Sequence, residues 1–232
     1  LHHRIFGKEM RVLGYSPFDS PYSNPIGPFN THFTACVNLV HKKDLSGIDA
    51  VLLWGGADIS PLLYGEEPIT EVKSGPATPT DRDLFEWELL RLAKQQKKPI
   101  IGVCRGAQLI CAFAGGCLIQ HVDGHVGYHD VTTYDGQILN CSSSHHQMMY
   151  PYNLDKDEYT LLAWTDKRSN TYLPEDKVYT GNMDKRIYKE PEVVYFNKLN
   201  AMAIQCHPEW HSMTAYNFNA WLLNNIQHFM LK

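Results

Sequence analysis

The 232-residue chain has no apolar run near the roughly 20 residues needed to span a bilayer, so no membrane segment is expected. It also lacks a cluster of one charge sign. Its 21 basic and 25 acidic side chains are intermixed and give a formal charge of −4, which argues against the concentrated basic face of a nucleic-acid binder. The six cysteines contain no C-x-x-C pair, and their spacings fit no zinc pattern. Most lie in apolar stretches, where free cysteine behaves as a small hydrophobe, so a reducing, cytoplasmic setting is expected. No apolar core follows the polar, basic start, so no secretory signal is expected. Residues 1–9, with His2 and His3, read as an expression remnant. Repeats, low-complexity tracts and clear linkers are absent as well. A composition that is 44% hydrophobic and 12% aromatic then suits one domain over residues 1–232 with a sizeable core.

The first half of the chain reads as a parallel α/β unit. Met10–Tyr15 is a short apolar run, and Thr31–His41 is expected to be a helix. Ile48–Trp54 is nearly all apolar, as in a strand buried on both faces, and Gly55-Gly56 stops it. Residues 57–79 read as a long loop. Thr80 and Asp83 form a capping-box start for a helix, with Phe85, Leu89, Leu92 and Ala93 at helical spacing. Pro99–Val103 is a second buried strand, and Ala107–Ala114 a second helix, stopped by Gly115-Gly116. Strand, helix, strand and helix in this order imply a right-handed crossover in a parallel sheet. The second half is expected to hold short strands and turns over Leu118–Tyr134, a strand pair at Val193–Phe196 and Ala201–Cys206, and a final helix over Thr214–Leu231.

Ile101-Gly-Val-Cys-Arg-Gly-Ala-Gln108 carries the strongest chemical signal. Cys104 falls where a buried strand ends and a helix begins, and Gly102 and Gly106 flank it two residues to either side. This is the cysteine form of the G-x-S-x-G nucleophile elbow, in which a sharp turn exposes the nucleophile at the sheet edge. The helix that follows aims its N-terminal N–H groups and positive dipole end at the sulfur, which favours thiolate. The Arg105 N–H can also face a developing oxyanion. An isolated G-x-C-x-G fits a structural cysteine beside a tight turn about as well, so the other segments decide.

A thiol nucleophile needs a base and a group that orients the base. Ala203-Ile-Gln-Cys-His-Pro-Glu209 offers both, because residues two apart on an extended segment share a face. Pro208 further biases His207 towards extended backbone. His145 and His146 have no acidic residue nearby in sequence. His121, His125 and His129 are spaced by four, like metal ligands on a helix, but Gly124 and Gly127 argue against a helix. They read as solvated loop histidines, and no metal and no cofactor are expected.

Together, GVCRGAQ and QCHPEW resemble the signature pair of class I glutamine amidotransferases of the peptidase C26 type. More narrowly, the chain is similar to the stand-alone γ-glutamyl hydrolase branch, above all the γ-glutamyl-γ-aminobutyrate hydrolases. Further matches are Leu53-Trp-Gly-Gly-Ala-Asp-Ile-Ser60, Leu63-Tyr-Gly-Glu66, Asp81-Arg-Asp83, Gly115-Gly116 and Ser144-His-His-Gln147. They stand in the family's order and cover about residues 10–212. The resemblance implies a flavodoxin-like three-layer α/β sandwich with a mostly parallel central sheet. It implies Cys104 as nucleophile, His207 as base, Glu209 as its orienter, and the N–H groups of Gly56 and Arg105 as the oxyanion hole. Gln108 would line the substrate pocket, and the backbone of Ser143, Ser144, His145 and His146 would lie along the glutamyl group.

Residues 67–79 and 156–191 largely depart from the family pattern and are where substrate choice would be made. Three functions follow. The first is a free-standing hydrolase of glutamine or a small γ-glutamyl compound, supported by the LYG and DRD matches. The second is a glutaminase subunit handing ammonia to a separate synthetase partner. The third is a non-catalytic binding protein, against which the complete Cys, His and Glu set argues.

Overall fold

The computed structural model describes residues 4–5, 8–18, 25–40, 42–72, 75–166, 168–174, 189–210, 213 and 215–231. Among them, nine strands build the main sheet. They are β1 (Val12–Tyr15), β2 (Ala35–Asn38), β3 (Ala50–Leu53), β4 (Ile100–Val103), β5 (Val126–Thr133), β6 (Ile138–Ser144), β7 (Tyr159–Asp166), β8 (Lys189–Phe196) and β9 (Ala201–Ile204). Their spatial order is β6-β5-β7-β8-β9-β4-β3-β1-β2. The pairings from β9 to β2 are parallel, and those from β6 to β9 are antiparallel. The expected flavodoxin-like α/β sheet is therefore present, with a parallel half and an antiparallel half that meet at β9.

Among the described residues, three helices flank it: α1 (Asp81–Gln95), α2 (Arg105–Phe113) and α3 (Tyr216–Met230). Every residue of β3, β4 and β9 is buried, as both faces of a parallel sheet must be when helices cover them. Side-chain alternation along the strands then sorts the core into two layers. Ala50, Leu52, Ile101, Val103, Met202 and Ile204 pack with Phe218, Trp221, Leu222 and Ile226 of α3. Val51, Leu53, Ile100, Ala201 and Ala203 pack with Leu89 and Leu90 of α1 and Ala107 and Ile110 of α2. The capping box is formed as expected: Thr80 Oγ1 accepts from Asp83 N at 3.1 Å, and Asp83 Oδ2 from Thr80 N at 2.9 Å.

Two expectations are corrected. The helix over Thr31–His41 is absent: a 3-10 turn at Gly27–Thr31 gives way to β2, the edge strand. Its alternation of half-buried Ala35 and Val37 with exposed Cys36 and Asn38 is the period-two pattern of an edge strand, not the period of a helix. His41 itself lies outside the described residues. The histidines at 121, 125 and 129 are not solvated loop residues. His129 points inward from β5 with Val131, and His125, just before that strand, is also buried; His121 is half-buried on a short strand paired with Tyr172–Leu173. Gly124 and Gly127 have φ of +79° and +99°, which a helix cannot accommodate. Of the divergent stretch 156–191, β7 and the start of β8 are described, whereas 167 and 175–188 lie outside the described residues.

The closest backbone approach lies under the β4–α2 turn. A Cβ on Gly102 would sit 2.5 Å from the Gly106 carbonyl oxygen, and one on Gly106 would collide with the Leu53 carbonyl oxygen of β3. Gly106→Ala is therefore expected to destabilise the fold by about 1–3 kcal/mol, the usual range for overpacking. The check is the urea midpoint, and an unchanged midpoint would contradict this close packing.

Candidate active site

Cys104 follows β4 and serves as the N-cap of α2, with φ +50° and ψ −107°. A β-substituted residue in this sparsely populated region costs of order 1–3 kcal/mol and persists only where its surroundings fix it. Here the Cys104 N–H donates to Ile204 O of β9 at 2.7 Å, and Cys104 O accepts from Gln108 N at 3.1 Å. Cys104 as a residue is 6% exposed. Arg105 opens α2, where backbone N–H groups lack intrahelical partners.

The segment after β9 brings the imidazole to the sulfur. His207 N donates to Ser142 O at 3.0 Å, so the end of β6 folds back against it. His207 Nδ1 and Glu209 Oε1 are 2.7 Å apart and both side chains are buried. A Cβ placed on Gly55 would lie 3.4 Å from both Cys104 Cβ and His207 Cε1, so a glycine there leaves the pair room. Burial pushes the His207 pKa down, but the Cys104 sulfur and the Glu209 carboxylate outweigh it and take it up to about 10. Trp210 stacks on the His207 ring, with 4.2 Å between centroids and 7° between planes.

Gly56 adopts φ +136° in the exposed turn after β3. Two residues on, the Asp58 carboxylate pairs with His146 Nε2 at 2.9 Å and raises the His146 pKa. This links the Gly56 turn to the Ser144–His146 segment. Within that segment Ser144 and His146 are exposed, while Ser143 and His145 are buried. Ser143 Oγ donates to His125 O at 3.0 Å, and Gln108 Nε2 donates to Gln147 O at 3.0 Å. Beside the turn, Ala57, Asp58, Pro76 and Arg82 line part of a pocket that reaches Arg105.

The structure thus draws Cys104, His207 and Glu209 together and sets Gly56, Arg105, Gln108 and residues 143–146 around or beside them. The Arg105 side chain turns into the protein. It is buried, and its guanidinium bonds Asp83 and Glu86 of α1. Glu86 Oε1 also receives Arg82 Nε at 3.2 Å and Ser16 Oγ at 2.6 Å. Arg82 Nη2 donates to the carbonyls of Trp54 and Gly55, each at 2.9 Å. One buried network therefore holds α1, the elbow and the glycine turn together. The Asp81-Arg-Asp83 motif hinted at it, but the Glu86 and Arg105 side-chain roles, the Trp210 stack and the Asp58 contact had no signal in sequence spacing.

A cysteine at a strand–helix elbow of such a sheet, with a paired His and Glu beside it, is the arrangement found in class I glutamine amidotransferase-like amide hydrolases. The chain belongs to the peptidase C26 family, whose model matches residues 37–160. It is 30% identical to the glutamine amidotransferase-like protein YvdE of Lactococcus lactis over 183 residues, covering 72% of this chain and 69% of that one. It is 32% identical over 84 residues to the gamma-glutamyl-CDP-amidate hydrolase of Campylobacter jejuni, covering 36% of each. A crystal structure of a glutamine amidotransferase from Thermotoga maritima matches the fold with a TM-score of 0.56 at 13% identity, over 94% of this chain and 84% of that one. None of the described helices is long and apolar enough to cross a membrane.

Removing Arg105 would take from buried Asp83 and Glu86 the cation they share and leave Glu86 with Arg82. Arg105→Ala should cost about 3–5 kcal/mol, the range for breaking a buried pair from one side. Arg91→Ala, which breaks only an exposed pair with Glu88, should leave the urea midpoint unchanged. Equal midpoints for the two variants would contradict an anchoring role for Arg105.

Proposed function

We propose that the chain is a stand-alone γ-glutamyl hydrolase that cleaves the γ-amide of glutamine or a small γ-glutamyl compound through a thioester on Cys104. The observation that carries this is the placement of Cys104 at the strained elbow with His207, itself held by Glu209, beside it. A relative named for hydrolysing a γ-glutamyl amide supports the substrate class.

In the proposed reaction, the Cys104 sulfur attacks the δ-carbonyl carbon, its proton having passed to His207. The oxyanion forms between the N–H groups of Gly56 and Arg105, where aimed donors act most strongly on developing charge. His207 then protonates the leaving nitrogen, the C–N bond breaks, and ammonia or an amine departs. Water, deprotonated by His207, attacks the thioester, and Cys104 leaves with glutamate released. Glu209 keeps the imidazole in the orientation this shuttle needs. The turns at Gly56 and residues 143–146 form the rim that would receive the glutamyl group.

A second reading keeps the same half-reaction but delivers ammonia to a separate synthetase, as the amidotransferase names of relatives suggest. Glutamate release from purified protein alone, over glutamine and a panel of γ-glutamyl amides, decides between them. Turnover without a partner, abolished in Cys104→Ala and lowered by up to about 10⁴ in Glu209→Gln, is expected. A fully active Cys104→Ala variant would overturn the assignment, and activity only after adding a synthetase would favour the second reading.

A further inference from the structure

Beside the proposed site, β5, β6 and β8 bring together a cluster whose side chains have no part in the proposed hydrolysis, which uses His145 through its backbone alone. His125, His129, His145, Glu190 and Glu192 are all buried there, between 0% and 8% exposed. The rings of His125 and His145 lie 4.5 Å apart between centroids. Each imidazole has one nitrogen committed and one without a hydrogen-bond partner. His125 Nε2 bonds Glu190 Oε2 at 2.9 Å and leaves Nδ1. His145 Nδ1 bonds Gln147 O at 2.8 Å and leaves Nε2. The Glu192 carboxylate is held through Oε1 by His129 Nε2 at 2.8 Å and leaves Oε2.

We propose that His125 Nδ1, His145 Nε2 and the Glu192 carboxylate form a binding site for a divalent transition metal of the zinc class. One ligand atom from each of the three residues lies within 4.8 Å of the other two, and His125 Nδ1 is 3.6 Å from Glu192 Oε1. A tetrahedral ion with bonds of about 2.0–2.1 Å needs ligand atoms about 3.4 Å apart, so small side-chain rotations close the set. The surrounding bonds are those a metal histidine requires: its far ring nitrogen donates to a carboxylate or a backbone carbonyl, which fixes the tautomer and aims the lone pair inward. Glu190 does this for His125 and Gln147 O for His145, while His129 steadies the ligating carboxylate. Nitrogen and oxygen donors of this kind suit zinc, and two histidines with one glutamate is an established zinc ligand set. Spacing along the chain could not show the site, because Glu192 comes from a distant strand. The site does not depend on the hydrolytic reading.

The test uses the full chain expressed in minimal medium supplemented with Zn²⁺ or with Co²⁺, then passed through gel filtration with a weak chelator. Metal should be retained stoichiometrically with the folded protein, and lost to background in both Glu192→Gln and His145→Ala. Cys141→Ser should retain it. The Co²⁺ protein should show ligand-field absorption in the visible without a sulfur-to-metal charge-transfer band. No retained metal in the folded parent chain would overturn the proposal. A sulfur charge-transfer band, lost in Cys141→Ser, would overturn this ligand assignment in favour of the neighbouring His129, Cys141 and Glu192 set. The parent spectrum keeps the test decisive if either ligand variant fails to fold.

Discussion

The site depends on one close contact, the packing of the turn after β4 against the end of β3. Gly102 and Gly106 permit it because neither position has room for a Cβ. Once the backbones approach this closely, the chain must reverse sharply at residue 104, and Cys104 is held at positive φ at the sheet edge. The same turn starts α2, so the nucleophile candidate and the N-terminus of a helix occupy one place. The cost of that backbone, of order 1–3 kcal/mol, is borne by the buried core around it.

Charge is what locks this arrangement. Arg105 could have been a surface residue following the cysteine, yet it turns into the protein to meet Asp83 and Glu86. Through Glu86 and Arg82 the network reaches the carbonyls of Trp54 and Gly55, which precede the proposed oxyanion donor. Buried ion pairs seldom add net stability, but they are costly to break from one side. Such a network therefore restricts the elbow and the glycine turn to one mutual position. The antiparallel half adds the rest: β6 folds back so that Ser142 holds the His207 backbone, bringing an imidazole from the far side of β4 to the sulfur.

What the sequence made legible follows the range of the interactions. The elbow is local, and its glycines sit two residues from the cysteine. His207 and Glu209 are also two apart, so extended backbone sufficed to pair them. The buried runs at 50–53 and 100–103 and the Thr80–Asp83 capping box were readable for the same reason. Residues 35–38 were misread because an edge strand is only half-buried, and a short pattern with mixed polarity fits either period. His125 and His129 were read as solvated because their partners, Glu190 and Glu192, stand more than sixty residues away. No local pattern announces a pairing of that kind. The Arg105 network has the same character, with partners on a different helix.

The most direct test of the central claim is to mix the protein with a γ-glutamyl amide, quench in acid within the turnover time, and map the cysteine-containing peptides by mass spectrometry. The account predicts a mass increase of one glutamyl group on the peptide bearing Cys104, lost on treatment with hydroxylamine. Glutamate release with the adduct on another cysteine, or with no thioester on Cys104 under conditions that trap a control thioester, would contradict it.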